Sequence, residues 1–427
     1  MPDISRRAVL AAALAIAGGM VAAACGRVGA GARPSTVDLI LMTDSQLLQA
    51  AQMICQTLDG VHNSGVTVEA GVVQQGVGSL LQNMLAGQGT ADVVLVTSRV
   101  RQIWNANSLM VNVGPALSSS GISARLYPAL LADWSFAGRQ LVVPIFRDPL
   151  VVFYNADAVA QAGVDPPARE WTLGQLVTLC TRLSAVGNQP LANATDTADL
   201  ELFLELFCAF VLGFGGQLLT PNSGGGGGYV PAFADPQALD GIRALLSLHA
   251  YEPATPPSSA VEAFGRGEFA LLFGHHSDLS TLQAVVGQSF AWNVAPMPTF
   301  PKRRAQPVRA DGLTAVTRDP DRRSAAITVA LFGATSQCQT ALARLALGVP
   351  ADTSLAASPL WRAGAQWLNN DVFVAHPEAD VVVPQPLFFL SELGEAMTAA
   401  LRGAPADQAF QTAATAAQYT LSNWPTG

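Results

Sequence analysis

The sequence predicts an α/β fold on a mainly parallel sheet, in a chain large enough for two or more domains. Three observations carry that prediction. The chain has 427 residues, of which 50% are hydrophobic and only 13% charged, which suits a large buried core and argues against disorder over most of its length. Strand-like and helix-like runs alternate between Val37 and Val96, as expected of βαβ units. Over 138–156 the pattern changes, and two strand-like runs flank a short segment holding an arginine beside an aspartate.

The elements follow in order. Val37 to Met42 is a strand-like run ending at Thr43-Asp44-Ser45. An amphipathic helix is expected over about 46–60, a second strand at Val66–Ala70, a helix from Gly78 to Leu85 and a third strand at Ala91–Val96. Ligands of such sheets bind beyond the carboxyl ends of the strands. Those places hold Thr43, Asp44 and Ser45, then Gln74 and Gln75, then Thr97, Ser98 and Arg99. Between the runs Gly138–Pro144 and Pro149–Asn155 lies Ile145-Phe146-Arg147-Asp148. It reads either as a turn facing water or as a crossover between two lobes, with Arg147 and Asp148 facing the cleft.

Further on, Thr172 is placed to cap a helix. Leu200 to Phe214 is apolar and rich in phenylalanine, a buried helix in which Phe210 and Phe214 serve either core packing or ligand stacking. Gly224–Gly228 has no lysine after it, so it reads as a flexible loop and not as a phosphate cradle. Trp292 starts an alternating strand and is assigned to the core.

Several function classes are excluded early. The formal net charge is −8, which opposes broad attraction to nucleic acid. Lys302 is the single lysine; it sits in a Pro-flanked basic turn that suits neither a Walker A motif nor a Schiff base. His275-His276 with Asp278 suggests metal or acid–base chemistry, but adjacent histidines rarely address one metal. A loop offering hydrogen-bond donors to a ligand is the simpler account. No G-x-S-x-G elbow is present.

Residues 1–24 read as an export signal. Arg6-Arg7 precede a short apolar run, and Ala22-Ala23-Ala24-Cys25-Gly26 is similar to a lipobox, with Cys25 as the lipidated residue and 25–36 as a tether. Cys55, Cys180, Cys208 and Cys338 remain, either as two disulfides or as buried free thiols.

Taken together, these signals resemble the family 1 extracellular solute-binding proteins of ABC importers. The most specific block is Gly138 to Leu176: Gly138-Arg139-Gln140 with Val143-Pro144, then Val151 to Asp157, Ala162 to Pro167 and Trp171-Thr172. Ala263–Ala270, Trp292–Pro298 and Gly348–Ala351 follow in the expected order. The resemblance spans almost all of the chain after the signal. It implies an α/β, two-lobed periplasmic-binding-protein-like fold, each lobe a mainly parallel sheet flanked by helices, joined by a hinge. Residues 37–147 and 312–362 would form lobe 1, and 148–311 and 363–427 lobe 2.

The resemblance further implies a monomer without cofactor, metal or catalysis, which passes a solute to an ABC permease and its ATPase subunits. Matching its loops places Asp44, Gln74, Thr97, Ser98, Arg147, Asp148, His276, Ser277, Asp311 and Phe388 near the ligand. The chain departs from the family at Thr97-Ser98, where acidic residues are common, and at Gln74-Gln75, where an aromatic is frequent. Aromatic residues make up 7% of the chain, too few for a long sugar-stacking platform. The expected solute is a mono- or disaccharide or an amino sugar. A glycerophosphodiester is the alternative, and an adhesion or sensor lipoprotein on the same fold is a further one.

Overall fold

The computed structural model describes residues 37–61, 65–88, 90–97, 108–136, 138–221, 229–345, 347–362, 368–383 and 390–422. The expected export signal at 1–24, Cys25 and the expected tether at 25–36, Ser98, Arg99, the five-glycine run and Phe388 lie outside these residues. Among the described residues no helix is long and apolar enough to cross a membrane.

The N-terminal alternation is realised as β1 (Val37–Thr43), α1 (Leu48–Asp59), β2 (Val66–Val72), α2 (Val77–Leu85) and β3 (Val93–Val96). β1 runs parallel to both β2 and β3. The helices form here because their apolar residues fall on one stripe: α1 buries Ala50, Ala51, Ile54, Cys55 and Leu58, at spacings that keep one face against the sheet. β3 is buried throughout, so its sequence is a continuous apolar run without alternation.

In place of two runs with a break, residues Val143–Asn155 form one 13-residue strand, β4, buried along its whole length. Two later strands, β5 (Leu271–His275) and β6 (Trp292–Pro296), pair antiparallel with its second half. Its first half pairs antiparallel with β7 (Gln306–Ala315), which also lies against β3. Pro149 sits where β4 changes partners, the place at which a missing N–H disturbs the ladder least. The sheet is therefore mixed. Its main parallel part is β1 to β3, with a short parallel pairing of β7 to Asp380–Val381, and β4 and β7 carry the chain across the molecule in opposite directions.

Two apolar cores meet along β4. Val151 and Phe153 belong to the core that includes Leu41, Val94, Leu313 and Trp361. Leu150, Val152 and Tyr154 belong to the other. This division follows from the two-residue period of a strand. The second core packs around α3 (Leu173–Ala185) and α4 (Leu200–Gly213). Thr172 and Gln175 form the reciprocal cap of α3, at 2.8 and 3.3 Å. Phe207 of α4 lies against Phe203, Phe233 and Phe410, with ring centres 5.8, 6.2 and 5.7 Å away. Phe210 is fully buried, Phe214 packs on the same core, and Trp292 is buried as well. The four cysteines are buried free thiols, and burial pushes Cys55 up to about 11.

The pairing of β4 with β7 slips by one residue between Asp311 and Gly312. A Cβ at Gly312 would strike the Val143 carbonyl oxygen and stand 2.6 Å from Val142 Cγ1. Backbone cannot rotate away as a side chain can. Gly312→Ala is expected to cost about 1–3 kcal/mol, read as a lowered urea midpoint; an unchanged midpoint would mean that the two strands separate more easily than their packing suggests.

Candidate functional site

β4 and β7 place the polar residues of the site by alternation. Arg309 stands opposite Asp148 in the ladder, and Ala310 stands opposite Arg147. Directly opposed residues share a face, so Arg309 and Asp148 point to one side, with Arg147 on the other. Asp311, two residues after Arg309, joins the Asp148 side. That side opens into two chambers that share Asp278 and Arg309. The smaller, about 270 Å³, is lined by Thr97, Asp148, Ser277 and Asp311 among others. The larger, about 970 Å³, reaches Asn193, Asp199, Glu201 and Phe273.

Hydrogen bonds preset most of these groups. Asp148 accepts from the Ser277 backbone N–H at 3.1 Å and from its hydroxyl at 2.7 Å. Asp278 accepts the His275 N–H at 2.7 Å; burial pushes its carboxyl above the usual range against the pull of His275. Arg309 donates through Nε and Nη2 to the two carboxylate oxygens of Glu205, at 2.7 and 2.8 Å. His275 Nε2 lies 3.1 Å from Glu205 Oε2. Burial opposes the charge of Glu205, yet Arg309 and His275 together hold its carboxyl well below the usual range. Asn193, which donates to the Phe273 carbonyl at 2.9 Å, completes the wall.

Four of the ten residues expected at the ligand are thus brought together: Thr97, Asp148, Ser277 and Asp311. Asp44 instead accepts the N–H of Val77 at 2.7 Å, at the start of α2. Gln74 is exposed beyond β2. Neither lines the two chambers.

Arg147 requires a correction: it does not face the cleft with Asp148. It is fully buried and pairs with Asp380 through Nε at 2.8 Å and through Nη2. It also donates to the Phe373 carbonyl and lies 5.2 Å from the Tyr127 ring centre. Neighbours on a strand cannot both point the same way.

His276 is corrected for the same reason of direction. Its ring packs 4.8 Å from Phe373 and 5.6 Å from Trp361, centre to centre, while His275 turns to Glu205. The two histidines thus diverge. Among the described residues no group of three His, Cys, Asp or Glu is placed to hold a metal ion. Burial, only partly offset by Asp148, lowers His276 to about 4.

Arg309 and Asn193, which line the chambers, and Glu205, which pairs with Arg309, were passed over by the sequence reading. Two signals pointed to Arg309 and Glu205. Arg309 and Asp311 alternate with small residues, and Glu201 and Glu205 stand four apart on an otherwise apolar helix, where a buried face needs a cationic partner.

A family profile described as bacterial extracellular solute-binding protein matches residues 61–326. No curated protein sequence matches the chain. Solved structures share its fold. The GacH receptor of Streptomyces glaucescens, described unliganded and with acarbose, is 17% identical, with TM-score 0.72 over 91% of this chain and 99% of that one. The cyclic α-maltosyl-1,6-maltose binding protein of Arthrobacter globiformis is 16% identical, with TM-score 0.74 over 91% and 100%. A solute-binding protein of Thermotoga lettingae bound with α-D-tagatose is 14% identical, with TM-score 0.71 over 90% and 100%. These likenesses are of fold: two α/β lobes around a cleft.

Proposed function

We propose, since the chain belongs to the bacterial extracellular solute-binding protein family, that it is the extracytoplasmic binding component of an ABC importer. In this reading it captures a mono- or disaccharide or an amino sugar between its lobes and delivers it to a membrane permease. The lobes are taken as 37–147 with 312–362 and 148–311 with 363–427, closing by hinge motion. Residues 1–24 serve export, and Cys25 carries the lipid anchor.

The observation that carries the reading is the pair of chambers beside β4 and β7, where Asp148, Ser277, Asp278, Arg309 and Asp311 converge. Carboxylates and a guanidinium with fixed geometry suit paired hydroxyls. The larger chamber adds Asn193, Asp199 and Glu201, further polar partners for hydroxyls. Proteins of the same fold include one bound with α-D-tagatose and a cyclic α-maltosyl-1,6-maltose binding protein. A glycerophosphodiester is the second reading, favoured by the guanidinium of Arg309.

Titration calorimetry against monosaccharides, disaccharides, amino sugars and glycerophosphodiesters tests both. Saturable binding of a small carbohydrate is expected. Asp311→Asn should weaken it about 10-fold, or about 1.4 kcal/mol. Saturable binding of neither class would remove both readings.

A further inference from the structure

The Arg309–Glu205 pair does something that solute capture alone does not require. Among the described residues lining the two chambers, Arg309 is the only arginine or lysine, while Asp148, Asp196, Asp199, Glu201, Asp278 and Asp311 all line one or the other. An unpaired guanidinium at the junction of the chambers would attract phosphate or carboxylate. Glu205 removes that attraction. It takes Nε and Nη2 from the α4 side, is itself 3% exposed, and lines neither chamber. Glu201 adds a further carboxylate 3.9 Å from Nη2. The cation is therefore balanced from behind before any solute arrives.

We infer that Glu205 is a specificity-determining residue: by neutralising Arg309 it makes the cleft accept neutral or ammonium-bearing polyols and reject anionic ones such as sugar phosphates and phosphodiesters. The inference rests on the reading of the cleft as a carbohydrate site and decides between its two alternatives. Glu205 acts through Arg309 and does not touch the solute. A purely structural pair would affect stability and leave the charge preference of the site alone, so selectivity is the property to measure.

The experiment is calorimetry on the whole exported protein with D-glucose, D-glucosamine and other small sugars, each beside its 6-phosphate, and with inorganic phosphate. In the wild type, each 6-phosphate should bind at least 10-fold more weakly than its neutral parent, and glucosamine no more weakly than glucose. In Glu205→Gln, which keeps the shape and removes the charge, affinity for the 6-phosphates and for inorganic phosphate should rise at least 10-fold. That gain should vanish in Glu205→Gln/Arg309→Gln. A folded Glu205→Gln variant without the gain overturns the inference. So does a wild type that binds a 6-phosphate as tightly as its parent sugar, a comparison that stands even if the variant does not fold. A wild type that binds no sugar would instead count against the carbohydrate reading, while anion binding by the variant would still decide the role of Glu205.

Discussion

Replacing Asp380 by alanine is expected to lower the stability of the protein by about 3–5 kcal/mol, the usual cost of leaving one member of a buried ion pair without its partner. The Arg147 and Asp380 side chains are 0% and 1% exposed, so no solvent takes over when one of them is removed. Burial pushes the Asp380 carboxyl up, and Arg147 opposes that push; the pair exists because each charge needs the other there. Arg147 also holds the Phe373 carbonyl, which ties the middle of β4 to the segment around Phe373 and Asp380. Arg147→Met should cost a similar amount. Urea unfolding of both variants is the measurement. The double variant Arg147→Met/Asp380→Leu should recover most of the loss, since two apolar side chains in that space have no unpaired charge. Single variants within about 0.5 kcal/mol of wild type would show that water reaches the pair. The sequence placed Arg147 near the ligand; the structure places it in a buried pair that supports folding.

The second large effect is a loss of stability in mild acid. His276 is held near 4 in the folded protein, against about 6.5 in an unfolded chain. Between those values the unfolded state binds a proton that the folded state refuses. The contribution is therefore complete above pH 6.5 and is lost as pH falls toward 4, by about 3 kcal/mol in all. Asp148 is the nearby charge that limits the shift, while Trp361 and Phe373 supply the apolar walls. His275 works in the opposite direction. Burial and Arg309 lower it, but Glu205 outweighs them and raises it above its ordinary value, so its contribution is present in acid and is lost as pH rises. Chemical denaturation at pH 7, 6, 5 and 4.5 should show the fall in the wild type, and His276→Phe should largely remove it. Parallel slopes in the two proteins would mean that His276 titrates as if in water.

How much of this was visible beforehand depends on the range of the interaction. The β1–α1–β2–α2–β3 alternation was legible because strand and helix periods are local, and α1 and α2 fall within two residues of the expected limits. The Thr172 cap was legible because its partner Gln175 is three residues away. The single β4 strand was not, since an Arg-Asp pair inside an apolar run looks like a break until β7 is there to pair with it. The same holds for Arg147 and Asp148: once they lie on a strand their divergence is forced, but that they lie on one is settled by residues 306–315.

The amino-acid sequence by itself determined the α/β class and the family, because these depend on periodicity and on short blocks of neighbouring residues. Tertiary structure alone decided which charges are spent on one another. Arg309 meets Glu205 across 104 residues and Arg147 meets Asp380 across 233. Such pairs leave no local pattern, since the low-dielectric interior that makes them necessary exists only once the chain has folded.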